Sequence, residues 1–137
     1  MLIPKKVKHR KWNKGRSRDR VKDSRGTNIS FGKYALVAAE PAWVKTNQIE
    51  SARRSIIRLL SKTGKLWIRV VTDKPVTKKP PEVTLGMGKG SVEYYVTVVK
   101  PGRIIFELDG VSEVTAREAF RLATSKLPMK TKIIINK

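Results

Sequence analysis

The chain has 137 residues, enough for one domain with a modest core. Its 31 lysines and arginines face 11 carboxylates, a net charge of +20, so a compact isolated form repels itself and requires a polyanionic partner. There is no cysteine, which excludes disulfides, thiolate zinc sites and cysteine nucleophiles, and no run approaches the roughly 20 apolar residues of a bilayer span.

Residues 1–28 read as an extended basic arm. Eleven of the 31 basic side chains fall within the first 25 positions, against Asp19 and Asp23. Charges recur every second or third position, Gly15 and Gly26 interrupt the run, and no apolar face is available to bury. Trp12 is the one large ring. This is the composition of segments that order on RNA. The start, Met1 to Lys11, lacks the apolar run of a secretory signal, so a soluble intracellular protein is expected.

Residues 29–137 read as a single domain. A strand is expected from Phe31 to Ala39, ended by Pro41. A helix follows, with Asn47 as its cap and Glu50 three residues later. Ile49, Ala52, Ile56, Leu59 and Leu60 share one face, and Gly64 is the expected stop. Arg54, Arg58 and Lys62 form a separate cationic stripe with few carboxylates nearby. A strand over Leu66–Val71 comes next. Residues 72–90 hold Pro75, Pro80, Pro81, Gly86, Gly88 and Gly90 and read as a long loop, a length that usually marks function.

Strands are then expected over Val92–Val99 and Arg103–Asp109, as a hairpin joined through Lys100-Pro101-Gly102. Pro-Gly suits a type II turn, so the connection should be slightly longer than the tightest hairpin. A second helix starts near Ser112, lines Ala116, Ala119, Phe120, Ala123 and Leu127 along one face, and closes before Pro128. Lys132–Asn136 supplies a last strand. This order predicts an α+β fold, with two helices packed on one face of a mixed or antiparallel sheet. The rings of Phe31, Tyr34, Tyr94, Tyr95, Phe106 and Phe120 are expected in the core rather than on a base-stacking surface.

The residues offer little to catalysis. His9 is the only histidine and sits among the cations of the arm. Glu93, Glu107 and Asp109 fall at outward strand positions and should meet Lys or Arg. No cofactor, metal or small-molecule substrate is implied. Gly86-Met87-Gly88-Lys89-Gly90-Ser91 fails as a Walker loop, because Val83 and Gly90 stand where glycine and Ser or Thr are required. It also runs into a strand, where a dinucleotide fingerprint would open a helix. What remains is backbone able to approach a surface closely, with a cation at Lys89.

Taken in order, several segments resemble bacterial-type large-subunit ribosomal protein L-sixteen over nearly the whole chain. They are Met1-Leu2-Ile3-Pro4-Lys5-Lys6, Phe31-Gly32, Gln48 to Arg54, Gly64 to Val70 and Asp73 to Pro80. Gly88 to Tyr94, Lys100 to Arg103, Gly110-Val111-Ser112 and Lys126-Leu127-Pro128 continue the match. The resemblance implies a non-catalytic constituent of the large subunit, located on the ribosome in the cytoplasm or an organelle. Its implied partners are large-subunit rRNA, tRNA and other large-subunit proteins, with no membrane. It further implies late entry into subunit assembly and help in positioning A- and P-site tRNA.

By the same likeness Lys5, Lys6, Lys8, Arg10 and Lys11, with Trp12 and Arg16, would thread into rRNA, and Arg53, Arg54 and Arg58 would face it. Lys78, Lys79 and the tip residues Thr84, Leu85, Gly86, Met87, Gly88, Lys89 and Gly90 would reach toward tRNA and the peptidyl-transferase region. Thr84-Leu85 stands where the family usually has Arg-Met, and Met87 where it often has Lys or Ser, so the tip lacks a cation. The rival reading of the charge alone is a free-standing nucleic-acid chaperone, which needs no long loop of fixed length.

Overall fold

The computed structural model describes residues 2–15, 21–60 and 62–136. Among these described residues, seven antiparallel strands and two helices form an α+β fold. The strands are β1 (Tyr34–Ala38), β2 (Ala42–Lys45), β3 (Lys65–Ile68), β4 (Lys74–Lys78), β5 (Ser91–Val99), β6 (Ile104–Asp109) and β7 (Thr131–Ile135). The helices are α1 (Thr46–Leu59) and α2 (Glu113–Thr124). Two sheets result, with strand orders β3-β6-β1-β7 and β2-β5-β4.

Register sorts the side chains of the four-stranded sheet. Tyr34 pairs with Leu108 and Ile135, Leu36 with Phe106 and Ile133, and Leu66 and Ile68 with Leu108 and Phe106. Paired residues share a face, and this face meets Ile49, Ala52 and Ile56 of α1 and Ala116, Ala119, Phe120 and Ala123 of α2 in one core. A bulge between Leu36 and Val37 turns Ile105 into that core beside Phe106. The opposite face carries Ala35, Val37 and Ile104, covered by Ile29.

Glu107 lies on this second face and is fully buried. The outward position expected for it is therefore wrong, although its cationic partner is real. Its carboxylate accepts from the backbone N–H groups of Ser30 at 3.2 Å, Phe31 at 2.7 Å and Gly32 at 2.9 Å, and is ion-paired to Arg69. Burial alone would raise this carboxyl; the amides of Gly32, Phe31 and Ser30 and the Arg69 guanidinium outweigh it and hold the group below the ordinary carboxylate value. Phe31, expected in the core, is instead 57% exposed and stacks on Trp67 with centroids 5.9 Å apart.

Other departures have local causes. The helix begins at Thr46, one residue before the expected Asn47 cap, and the Gln48 Oε1 accepts from the Lys45 N–H at 2.9 Å. It ends at Leu59, well short of Gly64. The second helix starts as expected, with Ser112 capping it by accepting from the Thr115 N–H, but it ends at Thr124, before Leu127 and Pro128. The strand β2 occupies the stretch between Pro41 and the helix, where no element was expected. The strand β4 lies inside the stretch read as loop, where Pro75 is tolerated because β4 is an edge strand.

The expected hairpin does not form, because β5 and β6 belong to different sheets. The Pro101-Gly102 turn is present, with Arg103 N–H donating to Lys100 O at 3.2 Å and Gly102 at φ 92°. It carries the chain from one sheet to the other.

Glu107→Gln should lower unfolding stability by roughly 3 kcal/mol, the low end for an unpaired buried ion because Arg69 keeps some exposure. The lowered pKa makes the wild-type contribution full above the ordinary carboxylate value and lost as pH falls through the depressed one. Urea titrations from neutral to acid pH should therefore show the gap between wild type and variant closing in acid. A gap independent of pH would contradict this.

Candidate nucleic-acid interface

Most of the described carboxylates are ion-paired within the chain. On α2, Glu113 pairs with Arg117 at 2.8 Å and Glu118 with Arg121 at 2.7 Å. Elsewhere Glu40 pairs with Lys130, Glu93 with Lys78 and Asp23 with Arg103. The Arg121 guanidinium holds Glu118, and Lys130 holds Glu40, below the usual carboxylate value. Among the described residues, none is ion-paired to Lys5, Lys6, Lys8, Arg10, Lys11, Lys14, Arg58 or Lys89.

On α1 the expected stripe divides. Glu50 accepts from Arg53 Nε and Nη2, both at 2.7 Å, and from Arg54 Nε at 3.0 Å. The side-chain hydrogen bonds of Arg53 and then Arg54 bring the Glu50 carboxyl down to about 2, and Glu50 in turn raises Arg53. Arg53 is thus engaged bidentately and partly buried, whereas Arg54 stays 76% exposed. Arg58 is exposed in the last turn. The expectation of few carboxylates near this stripe overlooked Glu50, one turn before Arg54.

The arm is extended, with neither helix nor strand over residues 2–15. It does bury something. Leu2 packs against the main core, and its carbonyl accepts from the Thr72 hydroxyl. Ile3 and Arg10 line a cleft with Lys45 and Tyr94. His9 is exposed beside Lys8 and Trp12. Arg16 lies outside the described residues. Further on, the N–H of Asp23 donates to Pro101 O, and Arg103 donates to Arg25 O at 3.0 Å.

The structure brings the arm and the Pro/Gly loop together. Lys11 Nζ donates to Lys89 O at 2.9 Å, Lys89 Nζ donates back to Trp12 O, and Lys74 Nζ donates to Lys14 O at 2.7 Å. Main-chain carbonyls are neutral, so these bonds position the ammonium groups without cancelling their charge. Lys78 is drawn toward Glu93 at 3.6 Å, and Lys79 donates to Gly86 O.

The loop tip projects. Gly86, Met87 and Gly88 follow one another at φ 101°, 57° and 83°, a left-handed run that Met87 enters at a steric cost. Leu85 and Met87 are almost wholly exposed. Thr84 and Lys89 are exposed too, while Gly90 is half-buried where the loop enters β5. Sequence reasoning missed Trp43, Lys45 and Lys74, and it placed in the core Tyr94, which is half-buried outside it. Lys74 Nζ sits 4.4 Å from the Trp43 ring centroid, and Lys45 Nζ sits 4.5 Å from that of Tyr94. The alternation Trp43, Lys45 after Pro41 was the available signal, hidden by the shortness of β2.

Lys89→Ala should loosen the arm: backbone amides of residues 11–15 should exchange with deuterium faster while β5 and β6 stay protected. Unchanged exchange over 11–15 would show that the reciprocal lysine–carbonyl bonds do not hold the arm.

The sequence profile of the ribosomal protein L16p/L10e family matches residues 4–134.

Proposed function

The chain belongs to the ribosomal protein L16p/L10e family, and from that membership we infer how this structural large-subunit protein engages RNA. Its arm, residues 1–28, and its domain, residues 29–137, act together on large-subunit rRNA. Lys5, Lys6, Lys8, Arg10 and Lys11 meet phosphates along the arm, Trp12 and Arg16 extend that contact, and Arg54 and Arg58 add phosphate contacts from α1. Arg53 serves chiefly to hold Glu50 and the helix surface in place. The loop from Lys78 to Gly90 reaches toward tRNA in the A and P sites near the peptidyl-transferase region, and the protein joins late in assembly. It works by position and charge, with no chemical step of its own.

The observation that carries this reading is the clasp of Lys11, Lys74 and Lys89, cations from arm, sheet and loop whose ammonium groups meet main-chain carbonyls, that of Lys14 among them, and the Trp43 ring rather than carboxylates. Such a cluster is stable in company with phosphate, whose charge lowers the mutual repulsion. At the tip, Leu85 and Met87 replace charge with apolar surface, so contact there proceeds through exposed backbone and van der Waals packing rather than through an arginine.

Sucrose-gradient sedimentation of lysate tests the reading. The protein should migrate with large subunits at close to one copy each, and its depletion should accumulate light, late-stage large-subunit precursors. A pool sedimenting apart from subunits, with normal subunits in depleted cells, would favour the free-standing chaperone. Arg58→Gln should reduce the slope of log affinity for large-subunit rRNA against log salt by about 0.7–0.9, and Arg53→Gln by less. Equal slope changes would contradict the distinct roles given to these two arginines.

A further inference from the structure

The clasp encloses something more specific than charge. Trp12 and Lys14 of the arm, Trp43 of β2, Lys74 and the adjoining edge of β4, and Lys89 of the loop line one cavity of about 240 Å³. None of the described residues lining it is acidic. Two tryptophans and three lysines thus line a space of single-ring-system size, and they come from four segments of the chain.

Strand register explains the convergence. Trp43 pairs with Val98, Lys45 and Lys74 both pair with Val96, and Val76 pairs with Tyr94. Trp43, Lys45, Lys74 and Tyr94 therefore stand on one face of the three-stranded sheet, and the opposite face sends Val44 and Val99 into the core. The arm runs along the outer face, as the clefts shared by Arg10 with Tyr94 and by Trp12 with Trp43 record. An aromatic and cationic sheet face is the surface type on which single-stranded RNA stacks its bases.

We propose that this cavity receives one unstacked nucleotide from a single-stranded stretch of large-subunit rRNA. The base lies against the Trp43 indole, in the place now taken by the Lys74 ammonium, with Trp12 closing over it. Lys74, displaced from the ring, joins Lys14 and Lys89 on the flanking phosphate. Each lysine has three donors, and each of Lys74 and Lys89 directs one to a carbonyl, leaving others for phosphate oxygens. The exchange is favourable in kind: a cation over an exposed ring is a weaker contact than a stacked base. The inference rests on the RNA-binding role given above and deepens it by naming a base-binding pocket.

Stacking and phosphate contact respond differently to salt, which separates the two claims. Affinity of the full-length protein for large-subunit rRNA is measured across a salt series for wild type, Trp43→Leu, Trp43→Phe, Trp12→Leu and Lys74→Gln. Trp43→Leu should weaken binding about 5- to 150-fold with an unchanged salt slope. Trp43→Phe should recover most of the loss, and Lys74→Gln should reduce the slope by about 0.7. Trp12 lies on the arm, so Trp12→Leu reports on the pocket even if Trp43→Leu fails to fold, and it should weaken binding at constant slope. Wild-type affinity in Trp12→Leu and Trp43→Phe, or a loss through slope alone, would overturn the pocket while leaving rRNA binding intact. A flat salt response in wild type would instead remove the RNA-binding role itself.

Discussion

A surplus of positive charge, +20 on 137 residues, governs how this molecule is built. Eleven carboxylates cannot neutralise 31 cations, so the fold's electrostatic character is set by which cations receive them. The exposed arginines Arg117 and Arg121 of α2 are matched within their own helix, as are Arg53 and Arg54 of α1 by Glu50. Surface pairs of this sort contribute little to stability. Their consequence is spatial: one side of the molecule is moderated while the arm and loop keep their field. Where Lys11, Lys74 and Lys89 meet, carbonyl oxygens and the Trp43 ring receive them. The charge is held in place there, not neutralised.

Holding charge in place requires a rigid frame, and the buried Glu107 supplies one. It sits on β6, next to β1 and β3 in the four-stranded sheet, and gathers three successive amides where the arm enters the domain. Arg69, just past β3, closes the arrangement. A buried carboxylate with these partners is fully satisfied; with any partner removed it becomes a liability. Downstream of that anchor the chain runs into β1, paired with β6 on one side and β7 on the other. Upstream, the arm crosses β6, where Ile104 N–H donates to Gly26 O. Basic residues that are extended and intrinsically poor at folding thus reach the surface from a fixed origin.

Much of this was legible in the residues. The apolar faces of α1 and α2 came through because helical periodicity reports burial directly: Ile49, Ala52 and Ile56, and Ala116, Ala119, Phe120 and Ala123, are all buried. The strands β5 and β6 came through by their β-branched runs. What escaped was set by tertiary context. Nothing local tells a Pro-Gly turn whether the next strand rejoins the same sheet. Pro75 looked like a breaker because an edge position cannot be read from a sequence without its pairing. Glu107 looked exposed because alternation assumes one wet face, whereas residues near Ile29 cover the second face. For the candidate interface, the cations of arm and loop stood out individually. Their meeting did not, since Lys11 and Lys89 are 78 positions apart and Trp43 belongs to a strand of four residues.

The central claim is that the uncompensated cations act by neutralising phosphates of large-subunit rRNA. The most direct measurement is the dissociation constant of the wild-type protein for that RNA between about 50 and 200 mM monovalent salt. If the arm, α1 and loop together neutralise roughly 6–10 phosphates, affinity should fall about 10³- to 10⁵-fold over that range. An affinity that stays nearly constant would contradict the account, because no electrostatic footing for binding would remain.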